Sequence, residues 1–269
     1  MNSMSERLAF PMYAVNELDT QALWRAVWEL LAARGVAAED MLSYSVPEDL
    51  LKHWRNPELL LSQTCGYPLV TRLADVQTVG CFHYSAPGCE GRNYRSLLVV
   101  REARSRQTLA DFRGRRVACN SPDSQSGYNV LLKMVAPLSR DGRFFSTVVF
   151  SGSHRQSLRE LQQRTADIAA IDCVTWALLQ RHQPDALAGL AVIAHSPLAP
   201  GLPLITSAKT TVATLGVLRE ALQQLVSDER YRPLCEALFI SGYSDIRRES
   251  YLPLLAWRED AAARGAVRL

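Results

Sequence analysis

The segment from Asp111 to Leu132 constrains the fold of this chain most, because strand, turn and helix signals follow one another within it. Arg116–Cys119 is a short, largely apolar run after a glycine, and turn-forming residues come directly after it. From Tyr128 onward, apolar residues recur at helical spacing. The pattern predicts a strand, a polar loop and a helix that begins close to Ser126.

The start of this helix has the chemistry of an anion site. Ser124 and Ser126 supply two short hydroxyls, and Gly127 allows a ligand to approach the backbone. Free N–H groups and the positive end of the helix dipole attract negative charge at such a position. The alternative is that a serine here is an N-cap, which satisfies one backbone N–H and binds no ligand. Both interpretations remain open at this point.

Two more strand-loop-helix units follow the first. Phe145–Phe150 is a predicted strand with His154 in the loop behind it, and Asp167–Ile171 is a buried strand that ends in Asp172. Ligands of open α/β sheets bind at the carboxyl ends of the strands. We therefore expect the loops around Ser126, His154 and Asp172 to converge on one edge of a sheet. Taken singly, a histidine or aspartate at such a place is more often a helix cap.

The first third of the chain also alternates between short apolar runs and amphipathic segments. The predicted elements are a strand at 8–10, a helix capped by Asp19 that ends at Gly35, a strand at 41–46, a short helix at 48–54 and a strand at 59–62. This alternation predicts a sheet with helices on both faces. Thr64 and Tyr67 lie in the loop that follows the third strand, so both are candidate ligand residues. Tyr67 has an equally good alternative as a lid on the core.

Two extended crossings predict a division into two lobes. The run from Tyr94 to Arg101 carries the chain out of the first lobe, and a second crossing lies near residue 203, after a proline-rich connector. Residues 1–99 and 204–269 then form a discontinuous first lobe, and residues 100–203 form an inserted second lobe that carries the predicted anion site. Two lobes joined by two strands make a hinge. Three helices, at roughly 212–226, 229–238 and 248–262, complete the chain.

Composition excludes several classes of function. The net charge of +3 comes from 30 basic and 27 acidic residues without a basic block, so nucleic acid is not an expected partner. No apolar run approaches the ~20 residues of a transmembrane helix. The N-terminus lacks the pattern of an export signal, so the chain as written is expected in the cytoplasm. The six cysteines form no CxxC pair, so we expect reduced thiols and neither a metal nor a cofactor. The alternative for two of them is a disulfide bridge between Cys81 and Cys89.

The motifs resemble the phosphate, phosphite and phosphonate binding proteins of ABC transporters. The resemblance covers most of the chain and is carried by the order and spacing of five segments, which are 111–118, 124–128, 152–154, 166–172 and 196–203. It implies an α/β, two-lobed type 2 periplasmic binding protein fold, in which each lobe is a mixed sheet with helices on both faces and two hinge strands join the lobes. It also implies that a small oxyanion is trapped by lobe closure and that an ABC permease is a partner.

The resemblance also implies roles for individual residues. By position, Ser124, Ser126, Gly127 and Tyr128 hold the anion and His154 assists. Three further residues, Tyr13, Thr64 and Tyr94, close on it from the other lobe.

This sequence departs from the family in ways that leave the ligand open. Arg155 stands where aminophosphonate binders carry a carboxylate for the ligand's amine, and Gln125 replaces a small hydroxyl residue. Phosphate, phosphonate, sulfonate and carboxylate ligands all suit a helix start with a nearby cation. The N-terminus without an export-signal pattern predicts a cytoplasmic location, whereas the family resemblance implies a periplasmic one.

We therefore predict a solute-binding protein that performs no chemistry. Two alternatives belong to other classes. One is an enzyme on the same fold, with Cys65 or Cys173 as nucleophile and His154 as base. The other is an intracellular anion sensor whose closure is recognised by a signalling partner.

Overall fold

The computed structural model describes residues 7–37, 44–139 and 142–269. The described strands are β1 (Leu8–Ala9), β2 (Leu61–Gln63), β3 (Gln77–Tyr84), β4 (Asn93–Tyr94), β5 (Ser96–Arg101), β6 (Arg116–Cys119), β7 (Thr147–Phe150), β8 (Ile168–Asp172), β9 (Leu190–His195), β10 (Ala199–Pro200), β11 (Pro203–Thr206) and β12 (Ile240–Ser244). The described helices are α1 (Glu17–Ala32), α2 (Leu50–Trp54), α3 (Gly66–Thr71), α4 (Val130–Val135), α5 (His154–Gln162), α6 (Cys173–His182), α7 (Val212–Ser227), α8 (Arg232–Ala237) and α9 (Pro253–Ala263).

The chain forms two compact units, each built from separate segments. The first unit comprises Met1–Ser85 and Pro200–Tyr251, and the second comprises Ala86–Ala199 and Leu252–Leu269. The chain therefore passes between the units three times, where the sequence predicted two crossings. Residues 86–99 and 252–269, which the prediction assigned to the first lobe, belong to the second unit.

The first unit contains a mixed five-stranded sheet. Its strand order is β1-β2-β11-β3-β12. The pair β1 and β2 is parallel, whereas β11 and β12 run antiparallel to their neighbours. This topology places the ends of β1 and β2, and hence the segments that follow them, at the same edge of the sheet.

Helix α1 packs on the first unit through the apolar face that the sequence predicts. Leu23, Val27 and Leu31 are all buried, because their spacing puts them on one side of the helix. The predicted cap was wrong by one turn: Asn16, rather than Asp19, is the N-cap, and its Oδ1 accepts a hydrogen bond of 3.0 Å from the Asp19 N–H. The predicted strand at 41–46 lies partly outside the described residues, and its described part, 44–46, is not a strand.

Strand β12 is an element that the sequence analysis missed. Its sequence, ISGYS, has no apolar run, so local pattern does not reveal it. Long-range pairing forms it instead: β12 runs antiparallel to β3, and the Tyr243 hydroxyl donates a 2.8 Å hydrogen bond to the Val79 carbonyl. Gly80 makes room for this contact, since a Cβ there would lie 2.4 Å from the Tyr243 hydroxyl oxygen.

The second unit contains another mixed five-stranded sheet, in the order β7-β6-β8-β5-β9. Strand β6 is parallel to both β7 and β8, while β5 is antiparallel to β8 and β9. The carboxyl ends of β6, β7 and β8 consequently lie at one edge. The core of this unit includes Phe112, Leu131 and Ile168, all fully buried.

At the opposite, amino edge of β6 and β8 an ion cluster joins three parts of the sheet. The buried Asp167 carboxylate accepts hydrogen bonds from Arg101 at 2.8 Å and from Arg116 at 3.1 Å. Burial alone would raise the pKa of Asp167, but the hydrogen bonds from Arg116 and Arg101 outweigh it and hold that pKa well below its usual range.

Within the described residues, no helix is long and apolar enough to cross a membrane.

Candidate functional site

The predicted convergence of three loops is confirmed within the second unit. Residue 120 follows β6, residue 151 follows β7, and Asp172 ends β8, so all three loops lie at the carboxyl edge of parallel strands. The first two loops are tied by backbone hydrogen bonds: the Gly152 N–H donates to the Asn120 carbonyl at 2.9 Å, and the Ser151 N–H donates to the Cys119 carbonyl at 2.8 Å. The candidate residues of these loops therefore have a fixed framework.

Ser124 caps the helical segment after β6. The first turn, Gln125–Asn129, is a π-helical turn that leads into α4, and the Ser124 Oγ accepts a 2.9 Å hydrogen bond from the Gly127 N–H. The capping interpretation thus holds for Ser124, whose hydroxyl oxygen satisfies a backbone donor. One of the amides that the sequence analysis assigned to an anion is already paired.

Ser126 contacts the start of the next helix. Its Oγ lies 2.7 Å from the Nε2 atom of His154, the first residue of α5. The Ser126 side chain is buried, and its backbone carbonyl accepts a 2.8 Å hydrogen bond from the Ser96 hydroxyl of β5. Two helix starts, predicted separately as candidate sites, are joined by this serine and histidine.

The surroundings of His154 keep its imidazole neutral. Burial lowers the pKa of His154 to about 4, and the Ala170 carbonyl opposes this shift only in part. A neutral imidazole carries a single N–H, so one ring nitrogen donates and the other accepts. The pair with Ser126 is therefore a neutral hydrogen bond above that pKa.

Gly127 lies directly against Asn120, a residue that the sequence analysis did not single out. A Cβ at position 127 would lie 1.9 Å from the Asn120 Oδ1, so only glycine fits while that side chain keeps its place. The Oδ1 atom is buried and has no hydrogen-bond partner among the described residues. Buried polar atoms are nearly always paired with protein, water or ligand. The signal that would have identified Asn120 is a polar residue directly after a buried strand.

Asp172 has a structural role that accounts for its burial. Its carboxylate caps α6 and accepts hydrogen bonds from the Val174 N–H at 2.7 Å and the Thr175 N–H at 3.3 Å. Asp172 is therefore a helix cap, as the alternative interpretation predicted. Its carboxylate also stands beside the cysteine that begins α6, Cys173.

Three further residues that were predicted to bind the ligand lie in the second unit. The Tyr128 ring lies in the hydrophobic core, stacks on Phe150 at 6.1 Å and has the Arg258 guanidinium 5.7 Å from its centre. Arg155 is exposed in the first turn of α5. Tyr94, which was predicted to act from the first lobe, ends β4 and belongs to the second unit.

The predicted residues of the first unit lie close to its sheet. The Tyr13 ring is buried and packs edge-on against Tyr84, with 5.0 Å between the ring centres. Thr64 is fully buried after β2, and its Oγ1 has no hydrogen-bond partner among the described residues. Tyr67 is half-buried within α3. Of Tyr13, Thr64 and Tyr67, Thr64 is thus the residue with a buried side-chain oxygen that accepts or donates no hydrogen bond among the described residues.

The candidate nucleophiles of the enzyme alternative are buried. Cys65 precedes α3 as its N-cap, and the Cys173 Sγ lies 3.5 Å from the Cys89 Sγ. Within the described ranges, no group of three or more His, Cys, Asp or Glu side chains has an arrangement that would hold a metal ion.

Comparison with known proteins connects this geometry to a family. The profile of a family described as ABC transporter, phosphonate, periplasmic substrate-binding protein matches residues 58–251, which is more than half of the chain. The sequence has no significant match among curated proteins.

Solved structures establish the fold. A binding-protein component of an ABC phosphonate transporter from Pseudomonas aeruginosa has a TM-score of 0.76 at 17% identity, over 96% of this chain and 87% of that chain. PhnD1 from Prochlorococcus marinus, in complex with methylphosphonate, has a TM-score of 0.75 at 12% identity, over 96% and 99% of the two chains. A Xanthomonas citri protein bound to ATP has a TM-score of 0.70 at 14% identity, over 95% and 98%.

These likenesses agree with the resemblance drawn from the motifs. The fold is the α/β fold of type 2 periplasmic binding proteins, with a mixed sheet in each unit. The family match adds a class of function to that fold. This chain therefore belongs to the family of periplasmic substrate-binding proteins of ABC phosphonate transporters.

Proposed function

We propose that this protein binds a small oxyanion of the phosphonate class and delivers it to an ABC permease, without chemical change to the ligand. The observation that carries the proposal is the 2.7 Å contact between Ser126 and His154 at the carboxyl edge of the second sheet. In a member of a phosphonate-binding family, this hydroxyl and imidazole are suitable donors to an anion.

The tautomer of His154 decides the direction of this hydrogen bond, and one of the two directions supports such a role. When Nε2 carries the proton, it donates to the Ser126 oxygen, and the hydroxyl hydrogen is then available to a ligand oxygen. An anion near the ring also favours the protonated imidazole, which would raise the low pKa of His154. Binding and proton uptake are coupled on this proposal.

The same pair argues for binding rather than nucleophilic catalysis. A serine nucleophile needs a base whose pKa lies near the working pH. Burial lowers the pKa of His154 to about 4, which makes it a weak base. The Asp172 carboxylate, which ends β8 at the same sheet edge, accepts hydrogen bonds from the start of α6, where it acts as a cap.

The ligand that fits best is a small phosphonate or phosphate. One structural neighbour is described in complex with methylphosphonate, another is bound to ATP, and a third is an alkanesulfonate-binding protein. Methylphosphonate, inorganic phosphate, an alkanesulfonate and ATP therefore make a panel that separates the alternatives. Candidate contacts besides Ser126 and His154 are Asn120 in the second unit and Thr64 in the first, since each has a buried oxygen without a protein partner among the described residues.

A thermal-shift panel with these four anions tests the proposal. A ligand at about a hundred times its Kd stabilises the native state by about 2.7 kcal/mol, which is readily measured as a rise in Tm. We expect methylphosphonate or phosphate to raise Tm most, and mass spectrometry to recover the ligand unchanged. A protein that none of the four stabilises, or that converts its ligand, would refute the proposal.

We further propose that the ligand favours a closed arrangement of the two units, and that the protein acts in the periplasm as its family does. A ligand shifts such an equilibrium by no more than its differential affinity for the two states. Small-angle scattering with the best anion of the panel should report a smaller radius of gyration. An unchanged radius at saturation would contradict closure while leaving anion binding intact.

A further inference from the structure

Two cysteines that are distant in the sequence meet in the second unit. The Sγ atoms of Cys89 and Cys173 lie 3.5 Å apart, although 84 positions separate the residues. Neither residue belongs to the proposed anion site. The sequence left a bridge between Cys81 and Cys89 open as an alternative, but the sulfur next to Cys89 is that of Cys173.

The backbone around both cysteines is fixed by hydrogen bonds. The Cys173 N–H donates to the Arg95 carbonyl at 3.1 Å, and the Cys89 N–H donates to the Ala86 carbonyl at 3.0 Å. Gly88 has a φ of +102°, and a Cβ there would lie 3.0 Å from the Cys173 Cβ. Glycine at position 88 thus allows the loop to approach the start of α6 closely enough for the two sulfurs to meet.

The two thiols differ in access, which sets the order of their reactions. Cys89 is half-buried, whereas Cys173 is buried with 1% of its surface exposed. A soluble oxidant therefore reaches Cys89 first. Hydrogen bonding to Cys173 and burial raise the pKa of the Cys89 thiol, so the attacking thiolate forms more readily at alkaline pH.

We propose that Cys89 and Cys173 are a disulfide-forming pair that fastens the loop 86–93 to the start of α6. To form the bond, the sulfurs approach from 3.5 Å to the S–S bond length of about 2.05 Å. The pair closes in an oxidising compartment and stays reduced in a reducing one.

The reaction is a balanced thiol-disulfide exchange with a small-molecule disulfide as oxidant. The Cys89 thiolate attacks one sulfur of the oxidant, forms a mixed disulfide and releases one small thiol. The Cys173 thiolate then attacks the Cys89 sulfur and releases the second small thiol. Two protein thiols are oxidised, one small disulfide is reduced, and the two protons lost by the protein thiols end on the two released small thiols.

Oxidation of the full chain with glutathione disulfide at alkaline pH tests the proposal. Peptide mapping without reduction should find Cys89 linked to Cys173, and Tm should rise by about 5–10 °C, reversed by dithiothreitol, because the bond closes a long loop. Cys173→Ser should stop at a mixed disulfide on Cys89 without this rise. Cys235→Ser, which removes a different buried thiol, should form the bond as the wild type does.

The wild-type peptide map decides the matter even where a variant fails to fold. Glutathione that remains on Cys89 in the wild type would overturn the proposal, since Cys173 would then be unable to resolve it. Unreacted thiols in the folded chain, or a link from Cys89 to another cysteine, would overturn it equally.

Discussion

Ser126 Oγ and His154 Nε2 lie 2.7 Å apart, at the starts of two helical segments that follow neighbouring parallel strands. Each residue by itself fits a capping or packing role. Together they form a partly buried hydroxyl-imidazole pair at the edge where sheets of this kind bind ligands. The anion-binding proposal rests on this pair.

The low pKa of His154 predicts a pH-dependent loss of stability. The folded pKa is about 4 and the ordinary value is 6.5, so between these two the unfolded chain binds a proton that the folded chain does not. Stability therefore falls as the pH falls through this window, by up to about 3 kcal/mol. His154→Gln removes the titrating group.

Urea unfolding of both proteins at several pH values measures this effect. The wild type should lose more free energy of unfolding than His154→Gln between pH 6.5 and 4. Other titrating groups are common to both proteins and cancel in the difference. Parallel curves for the two proteins would show that His154 titrates normally.

Gly127→Ala should disturb the proposed site through Asn120. The added Cβ meets the Asn120 Oδ1 at 1.9 Å, so the side chain has to move, and overpacking of this kind costs about 1–3 kcal/mol. The double variant Asn120→Ala with Gly127→Ala removes the obstacle. Thermal unfolding should find the double variant more stable than Gly127→Ala alone. Strictly additive losses would contradict the contact.

Arg155→Glu tests whether the exposed guanidinium in the first turn of α5 influences ligand choice. If it does, the wild type prefers a dianion or a carboxylated phosphonate to an aminoalkylphosphonate, and the variant shifts toward the amine. Arg159→Glu, one turn later on the same helix and also exposed, is the control with the same change of charge. Identical thermal-shift rankings in all three proteins would remove Arg155 from the site.

Asp167→Asn should destabilise the protein without altering anion affinity. The change leaves Arg101 and Arg116 without their buried carboxylate, at a loss of about 2–3 kcal/mol. The cluster lies at the amino edge of β6 and β8, away from Ser126. Glu229→Gln, in an exposed pair with Arg232, is the control and should change Tm little. Reduced affinity at unchanged stability would contradict this separation of roles.

Local sequence pattern predicts much of this fold and fails where pairing is long-range. Strand β6 and the buried face of α1 follow from apolar runs and helical spacing, and the structure confirms both. Strand β12 depends on its partner β3, and the assignment of residues 252–269 depends on packing in the second unit. Neither leaves a local signal in the sequence.

The candidate site is predictable to the same degree. Convergence of the loops around Ser126 and His154 follows from strand order, because parallel strands share a carboxyl edge. The direction of Tyr128 does not follow, since the π-helical turn at 125–129 holds more residues than an α-helical one and rotates the side chains that come after its start. The Cys89–Cys173 contact joins positions 84 apart, and no spacing rule indicates it.

Isothermal titration calorimetry of methylphosphonate into the wild type and Ser126→Ala measures whether the Ser126 hydroxyl binds the anion. We expect a single site in the wild type and a roughly ten- to hundredfold weaker site in the variant, which corresponds to the loss of one charge-assisted hydrogen bond. Ser146→Ala, which changes an exposed serine of the same unit, should bind as the wild type does. Wild-type affinity in Ser126→Ala beside a large fall in Tm would instead identify Ser126 as a structural residue and contradict the proposed site.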